Sequence, residues 1–262
     1  MKKIFKLIRN RIYSDYLMPS RLKEYEMIIS FLKKNGYRFL TLKEYKNFLD
    51  IENLKGKYLI NRHDIDTDLL TAKAFFEIEK KYGVKASYYF RLSTLDIDFM
   101  KEIEEYGSEA SYHFEEIATF AKENHIKSKD EIFNRMDEIK KLFKQNFINI
   151  ESKLGYKLLT VCSHGDFVNR KLKIVNNKIT DDKNLRKELE IIAEAYDDDI
   201  MNSIDVYLSD GVFSIKETAD NILKRIENKN VIYMLTHPRQ WRVSWKDNTI
   251  ENIKRFYEGI IW

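Results

Sequence analysis

Residues 58–66 read YLINRHDID, an apolar run that ends in four ionisable side chains, Arg62, His63, Asp64 and Asp66. The apolar part is typical of a buried strand. A solvated loop would explain the charges, and so would a site built at the carboxyl end of a strand. If the strand is regular, Asp64 and Asp66 lie on the same face, because side chains alternate along a strand.

Strand-like and helix-like segments alternate along the whole chain, which is the signature of a parallel α/β fold. About seven strand candidates favour a closed or nearly closed barrel, with a doubly wound sheet as the alternative. We see no linker, low-complexity tract or internal repeat, so we predict one domain over residues 1–262, with a helical extension at 1–19. The strand candidates are RFLTL, YLINRHDID, ASYYFRL, EASYHF, LLTVCSHG, SIDVYLSDG and VIYMLTHP.

One further helix is predicted near the middle of the second half of the chain, and a phosphate-binding loop is not found. The segment 185–196, LRKELEIIAEAY, is predicted to be a helix. No glycine-rich loop follows a strand candidate, so a nucleotide-binding fold lacks its main cue.

The composition argues against several classes of function. The chain has 46 basic and 42 acidic residues, interspersed, and no basic stripe that would follow a nucleic-acid backbone. A single cysteine, Cys162, rules out an internal disulfide and fits a reducing compartment. No run of 18 apolar residues and no continuous signal-peptide core is present, so we expect a cytoplasmic protein.

The N-terminal segment has one apolar helical face, formed by Ile4, Leu7, Ile8 and Ile12, with lysine and arginine opposite. We interpret it first as an edge helix packed on its own domain. The alternative is peripheral contact with the inner face of an anionic membrane.

Histidines and aspartates gather where strand candidates end. Four of the five histidines, all but His125, take such positions. The carboxyl ends of barrel strands lie at one rim, so we expect these side chains to converge there. Alternatively, each histidine alone is a buried residue satisfied by hydrogen bonds. The predicted rim residues are His63, Asp64, Asp66, His113, His164, Asp210 and His237.

Carboxylate and imidazole together are the ligands of a catalytic divalent metal. Zinc takes three such protein ligands and leaves a position for water, whose pKa it lowers to about 7. A second carboxylate can serve as general base, and a separate histidine can protonate the leaving group. Asp64 and Asp66 could therefore divide the two carboxylate roles.

Five short motifs, RHDID, SYHFE, CSHGD, LSDG and LTHPRQW, resemble those of the polysaccharide deacetylases, carbohydrate esterase family 4 with the NodB-homology domain. More closely, they resemble an atypical branch associated with surface-polysaccharide gene clusters, over residues 36–245. The resemblance implies an α/β fold, a distorted (β/α)7 barrel that is NodB-like. It also implies a divalent metal, with zinc the expected ion, and removal of N-acetyl groups from sugars.

By motif position, the resemblance implies a role for each of several residues. Asp64 takes the position of the base, Asp66 and His113 those of metal ligands, and His237 that of the acid for the leaving amine. Trp241 is expected to form a wall of the site, with ordinary packing as the alternative. Arg62, His63 and Asp210 are expected to contact substrate, although a structural ion pair explains Arg62 equally well.

The sequence departs from the family pattern at two motifs. Position 117, where a second metal-binding histidine belongs, is Ile117. We expect His164 to replace that histidine, and Glu115 is a less suitable substitute. The arginine-proline-tyrosine motif that helps to form the oxyanion site is absent.

The favoured function is therefore a metal-dependent hydrolase that removes an N-acyl group from an amino sugar or glycan precursor. One alternative is hydrolysis of another small amide, such as a cyclic one. A second alternative is a non-catalytic carbohydrate-binding homologue in glycan assembly.

Overall fold

A parallel β-sheet forms the centre of the protein. The structure is a computed structural model and describes residues 9–51, 56–210 and 218–262. Every strand ladder in these residues is parallel. The strands are β1 (Arg38–Leu40), β2 (Tyr58–Ile65), β3 (Ser87–Phe90), β4 (Glu109–Phe114), β5 (Thr160–Ser163), β6 (Ala193–Glu194), β7 (Val206–Ser209) and β8 (Val231–Thr236).

The strand order is that of a barrel. Neighbours run β6-β5-β4-β3-β2-β8-β7, so successive strands lie side by side and β8 returns to β2. Within the described residues no ladder joins β6 to β7, which leaves the ring open there. The predicted distorted (β/α)7 barrel is confirmed in this form, and the doubly wound alternative is wrong, because that fold needs a reversal of strand order.

Alternating side chains show that the sheet curls. Ile60, Tyr89, Cys162, Ala193 and Tyr233 come from five different strands and belong to one buried cluster. They can meet only if the strands surround them. The hydroxyl of Tyr233 donates to the carbonyl oxygen of Ala195 at 3.1 Å, which links β8 to the chain just after β6 across the interior.

Helices cover the outside of the sheet, where the alternate residues of each strand form two further apolar clusters. The helix between β2 and β3 begins after Asp68, whose carboxylate accepts from the Thr71 amide, and ends at Gly83 with φ +59°. The helices are α1 (Leu22–Lys34), α2 (Leu42–Ile51), α3 (Leu69–Tyr82), α4 (Ile97–Tyr106), α5 (Glu116–Glu123), α6 (Lys129–Asn134), α7 (Met136–Leu154), α8 (Phe167–Leu172), α9 (Lys183–Glu188), α10 (Asp198–Ser203), α11 (Ala219–Arg225) and α12 (Trp245–Ile261).

The predicted helix at 185–196 is wrong in its second half. Helix α9 ends at Glu188, and Glu190 takes φ +59°. The Ile192 amide then donates to the Leu159 carbonyl, and β6 follows. Tertiary pairing with β5 overrides helix propensity here. The seven predicted strands therefore include β1, which lies off the ring, and omit β6, which belongs to it.

The N-terminal helical segment packs against α12. Residues 9–17 are helical, and the side-chain amide of Asn248 donates to the carbonyl oxygen of Asp15 at 2.8 Å. Of the predicted apolar face, Ile4, Leu7 and Ile8 lie outside the described residues, and Ile12 is 49% exposed. Among the described helices, none combines the length and hydropathy that a bilayer span requires.

Candidate metal centre and its surroundings

Asp66, His113 and His164 converge at the carboxyl ends of β2, β4 and β5. Asp66 Oδ1 lies 3.0 Å from His164 Nδ1 and 3.4 Å from His113 Nε2. The two imidazole nitrogens are 3.2 Å apart. Both histidines are buried, and the side chain of Asp66 is 13% exposed. The strand register explains the convergence, because His113 is paired with Cys162, two residues before His164.

The three atoms fit a single small cation. Tetrahedral zinc with ligands at 2.0–2.1 Å places its ligand atoms about 3.3–3.4 Å from one another, close to the separations observed. Asp66 Oδ1 is buried, and no group among the described residues meets hydrogen-bond geometry with it, although two imidazole nitrogens lie within 3.4 Å. A buried carboxylate oxygen without a donor is costly unless a cation satisfies it. The donor set and this oxygen therefore suit the divalent metal that the sequence predicts.

Neighbouring groups orient the two histidines. His113 Nδ1 lies 3.0 Å from the carbonyl oxygen of Cys162, which can only accept, so Nδ1 carries a proton and Nε2 is the nitrogen that faces His164 and Asp66. The His164 amide donates to the Phe114 carbonyl at 2.8 Å, and the His164 carbonyl accepts from the amide of Asn176.

Asn176 also fixes the backbone at position 117, where the family pattern has a histidine and this chain has Ile117. Its Oδ1 accepts the backbone N–H of Ile117 at 3.0 Å. The Ile117 side chain is fully buried in the apolar cluster under α5. Position 117 is thus a core position, and the imidazole that lies beside Asp66 and His113 is that of His164, directly after β5.

Glu115, the weaker substitute, already has a partner. Its carboxylate accepts from Arg91 Nη2 at 2.8 Å and 2.9 Å and from Arg91 Nε at 3.0 Å. It could join His164 and Asp166 around an ion. However, Asp166 caps α8 and lies 3.3 Å from Lys122, so both carboxylates of that trio are neutralised without a metal.

A third trio combines Asp64, His113 and Cys162. Burial raises the pKa of the Cys162 thiol well above its usual value, and Arg62 Nη2 lies 2.7 Å from its sulfur, so a cation already stands beside this residue. Asp64 is engaged by Arg62. The trio of Asp66, His113 and His164 is therefore the best candidate.

Asp64 forms a two-bond ion pair with Arg62. Arg62 Nε donates to Oδ1 at 2.7 Å and Nη2 to Oδ2 at 2.6 Å. Burial by itself would raise the pKa of Asp64, but the guanidinium outweighs it and lowers that pKa to about 2. Asp64 Oδ2 is also 3.5 Å from His113 Nε2, so an ionised carboxylate stands beside the candidate metal centre.

Arg62 lies in the interior of the barrel, among aromatic side chains. It is fully buried, and its guanidinium carbon is 4.4 Å from the ring centroid of Tyr196. The burial and the two bonds to Asp64 support the structural ion pair, and contact of Arg62 with substrate stays a prediction. Arg62, which lies on β2 as Asp64 does, is the cation that neutralises the Asp64 carboxylate.

His237 and Asp210 form a dyad at the ends of β8 and β7. His237 Nδ1 lies 2.6 Å from Asp210 Oδ1, and its amide donates to Asp210 Oδ2 at 2.5 Å. Burial would lower the pKa of His237, but Asp210, with smaller contributions from Asp66 and Asp64, raises it to about 9. The imidazole is therefore protonated at neutral pH.

Asp210 and Trp241 support the dyad from behind. The indole Nε1 of Trp241 donates to Asp210 Oδ2 at 2.9 Å, and the tryptophan is fully buried. These contacts fit the ordinary packing alternative for Trp241, while contact of Asp210 with substrate stays a prediction. Asp210 orients His237, and Trp241 holds Asp210.

His63 faces the opposite side of β2, towards the helices. Its Nε2 lies 2.7 Å from Glu79 Oε1 and its Nδ1 lies 2.5 Å from Thr236 Oγ1, all fully buried. This corrects the expectation that His63 contacts substrate. Glu79 also accepts from Tyr25, Tyr88 and Asn61. In the sequence, Glu79 follows Phe75 by four residues and so lies on the same inward face of α3. That spacing predicts burial of Glu79, but it does not indicate which groups the carboxylate contacts.

A cavity of about 320 Å³ opens onto the candidate metal centre. Asp66 and His164 form its floor, and Arg170 lies on its wall. Glu251, Lys254 and Glu258 of α12 also line it. Sequence reasoning missed these helical residues because the approach of α12 to the rim is a tertiary feature. His125, by contrast, is exposed as predicted.

Comparisons with known proteins gave matches among solved structures, while no family model and no curated sequence matches the chain. The Streptococcus pyogenes deacetylase PplD in complex with acetate is 17% identical, over 58% of this chain and 68% of its own, with a TM-score of 0.41. The catalytic domain of a peptidoglycan N-acetylglucosamine deacetylase from Eubacterium rectale is 14% identical, over 79% and 87%, with a TM-score of 0.45.

A CE4 family pseudoenzyme from Bacillus anthracis also matches, at 14% identity over 78% of this chain and 63% of its own, with a TM-score of 0.40. These structures carry the names of the family that the motifs resemble. Such low identities and TM-scores do not determine chemistry, which depends on the residues of this chain.

Proposed function

We propose that this protein is a metal-dependent hydrolase that removes an N-acyl group from an amino sugar or a glycan precursor. The observation that carries the proposal is the convergence of Asp66, His113 and His164 beside two further groups suited to amide hydrolysis. These are the ionised Asp64 and the protonated His237. A cavity of which Asp66 and His164 form part of the lining lies beside this group.

Asp66, His113 and His164 would hold a divalent ion, with zinc favoured by the two imidazoles and one carboxylate. When bound, the ion would supply Lewis acidity and make water more acidic. Asp64 would accept the proton of the attacking water, because Arg62 keeps its carboxylate ionised and fixed in place.

His237 would donate a proton to the departing amine. The C–O bond forms and the C–N bond breaks, so water and amide give a carboxylic acid and an amine. Asp210 keeps the imidazole both oriented and charged before that donation. The proton taken by Asp64 then returns to solvent or to His237, which completes the cycle.

We further propose that residues 1–262 form one domain, with residues 1–19 as its helical extension, in the cytoplasm and without a nucleic-acid partner. Pairing of β2 with β8 ties the first and last thirds of the chain together and supports this.

Enzyme assays on metal-loaded protein test the proposal. N-acetylated and N-formylated amino sugars and their oligosaccharides should release free amine, while a cyclic amide panel should not. Asp64→Asn and His237→Gln should each lower turnover at least a hundredfold. His125→Gln, a change at an exposed histidine, should leave it unchanged.

Two outcomes would favour the alternatives. Turnover confined to the cyclic amides would select the small-amide hydrolase. Ile117 in place of a histidine is the observation that favours a non-catalytic homologue. Retained sugar binding with no turnover by the metal-loaded protein would select that alternative.

A further inference from the structure

Helix α12 turns its apolar side chains towards solvent and its polar side chains towards the protein, the opposite of an ordinary surface helix. It exposes six large apolar side chains, each 56–73% accessible. At 100° per residue they fall within an arc of about 140°. We name this surface the α12 outer face, formed by Trp245, Ile250, Ile253, Phe256, Tyr257 and Ile260.

The inner side of α12 is polar and is bonded to the rest of the protein. Asn248 and Asn252 donate to Asp15 at 2.8 Å and 2.9 Å. Glu258 lies 3.3 Å from Lys122 of α5, while Glu251 pairs with Arg255 within α12. These contacts fix the rotation of the helix, so the apolar residues point outward because of specific bonds.

The exposed apolar surface continues onto the neighbouring segment. Tyr16 packs edge-on against Trp245 with ring centroids 5.6 Å apart. Beside it, Leu17 is 63% exposed and Ile12 is 49% exposed. An exposed apolar patch formed by two adjacent elements is unusual on a soluble domain and marks an interaction surface.

The charged residue of α12 that lies within the apolar arc is positive. It is the exposed Lys246, and the next lysine, Lys254, lies about 40° beyond the arc with its Nζ 4.0 Å from Glu258 Oε1. The acidic residues of α12, Asp247, Glu251 and Glu258, fall outside the arc. Aromatic and aliphatic residues flanked by lysine are the composition of helices that lie in the surface of an anionic bilayer.

We propose that the α12 outer face docks onto an anionic membrane surface, with Ile12 and Leu17 extending the contact. A second copy of this chain is a less suitable occupant, because a twofold contact centred on this face would bring its lysines together without carboxylates on the same face to pair with them.

The same helix borders the entrance to the site. Lys254 and Tyr257 line a cavity of about 280 Å³ together with Arg91 and Glu115, and Lys254 also lines the cavity above Asp66. Docking would therefore bring the entrance to the level of the lipid headgroups. This step rests on the proposed function: the acylated substrate would be amphipathic and held in the bilayer, with its amide-bearing group reaching the metal centre.

Vesicle sedimentation tests the docking without requiring substrate or metal. Full-length protein should bind vesicles of phosphatidylcholine with one-third phosphatidylglycerol and bind pure phosphatidylcholine at least tenfold more weakly. The double substitution Ile253→Ser with Phe256→Ser should lower binding to the anionic vesicles at least tenfold. Phe133→Ser with Val175→Ser, at apolar residues 46% and 54% exposed elsewhere, is the matched control and should bind normally.

Charge reversal gives a second test that does not depend on how the serine variant folds. Lys246→Glu should weaken binding to anionic vesicles several-fold, while Lys141→Glu, exposed on α7, should not. Absence of binding, or binding unaffected by the outer-face substitutions, would overturn the proposal. A dimer in sedimentation velocity that the serine variant converts to monomer would also overturn it, in favour of a second copy. Vesicle binding without turnover would leave the docking intact and count against the hydrolase.

Discussion

His113 Nε2 and His164 Nδ1 lie 3.2 Å apart, although 51 positions separate the two residues in the chain. Their rings are nearly perpendicular, at 81°. Parallel pairing of β4 with β5 brings these residues together. A pair of imidazoles that the family pattern takes from one segment is thus assembled here from two strands, and Asp66 completes the group.

A histidine introduced at position 117, where the family pattern has one, should therefore not increase zinc affinity. Ile117→His would put an imidazole into a fully buried apolar cluster, and we expect it to lower the free energy of unfolding by about 2–4 kcal/mol. Combined with His164→Ala, it should not recover zinc affinity, as measured by calorimetric titration. Recovery of affinity in the double variant would show that position 117 can reach the ion.

Arg62→Met should destabilise the protein severely. It leaves the carboxylate of Asp64 buried without its cation, which typically costs about 3–5 kcal/mol. Urea denaturation measures this loss. Arg62→Met with Asp64→Leu should recover a large part of it, because both charges are then absent. Equal stability of the single and double variants would mean that the ion pair contributes little.

The stability of the metal-free protein should depend on His237 at alkaline pH. The pKa of His237 is raised from 6.5 to about 9, so the folded state binds a proton that the unfolded state has lost between these values. The stabilisation is complete below pH 6.5 and disappears as the pH rises through 9. It amounts to about 3 kcal/mol at most.

Urea denaturation from pH 6 to 10 checks this expectation. The difference in unfolding free energy between wild type and His237→Gln should shrink as the pH rises. A difference that stays constant over this range would contradict the proposed charge on His237.

Glu79 should matter for stability and not for metal binding. Its buried carboxylate accepts from His63, Tyr25, Tyr88 and Asn61. Glu79→Gln would introduce two donors among these groups and lower the free energy of unfolding by about 2–4 kcal/mol.

The matched control for this change is Glu77→Gln on the same helix. Glu77 is exposed, so its substitution should cost less than about 0.5 kcal/mol in the same denaturation experiment. Zinc affinity should be the same for both variants. A large loss of affinity in Glu79→Gln would mean that the network under β2 supports the metal ligands.

The sequence was informative about the rim because each strand runs directly into its polar residue. That pattern places Asp64, Asp66, His113, His164 and His237 near one another once the strands are parallel. The strand ladders and the contacts that link Asp64, Asp66, His113 and His164 are in line with it, and the place of His237 beside them stays a prediction.

Other features depend on which side of a strand a residue faces. His63 and Asp64 are adjacent in the chain but point to opposite faces of β2. The position of His63 at the end of a strand predicts the rim, whereas its side chain lies on the face that the helices cover. β6 was missed because two residues of strand are too short for periodicity to detect. The inward polar side of α12 depends on Asp15, more than 230 residues away, which no local pattern shows.

Zinc titration of the metal-stripped protein, followed by calorimetry, tests the central claim most directly. We predict one bound ion per chain, with affinity lost at least a hundredfold in Asp66→Ala, His113→Ala and His164→Ala. His125→Gln, at an exposed histidine, should bind as wild type does. Unchanged zinc affinity in any two of the three alanine variants would contradict the assignment of this site.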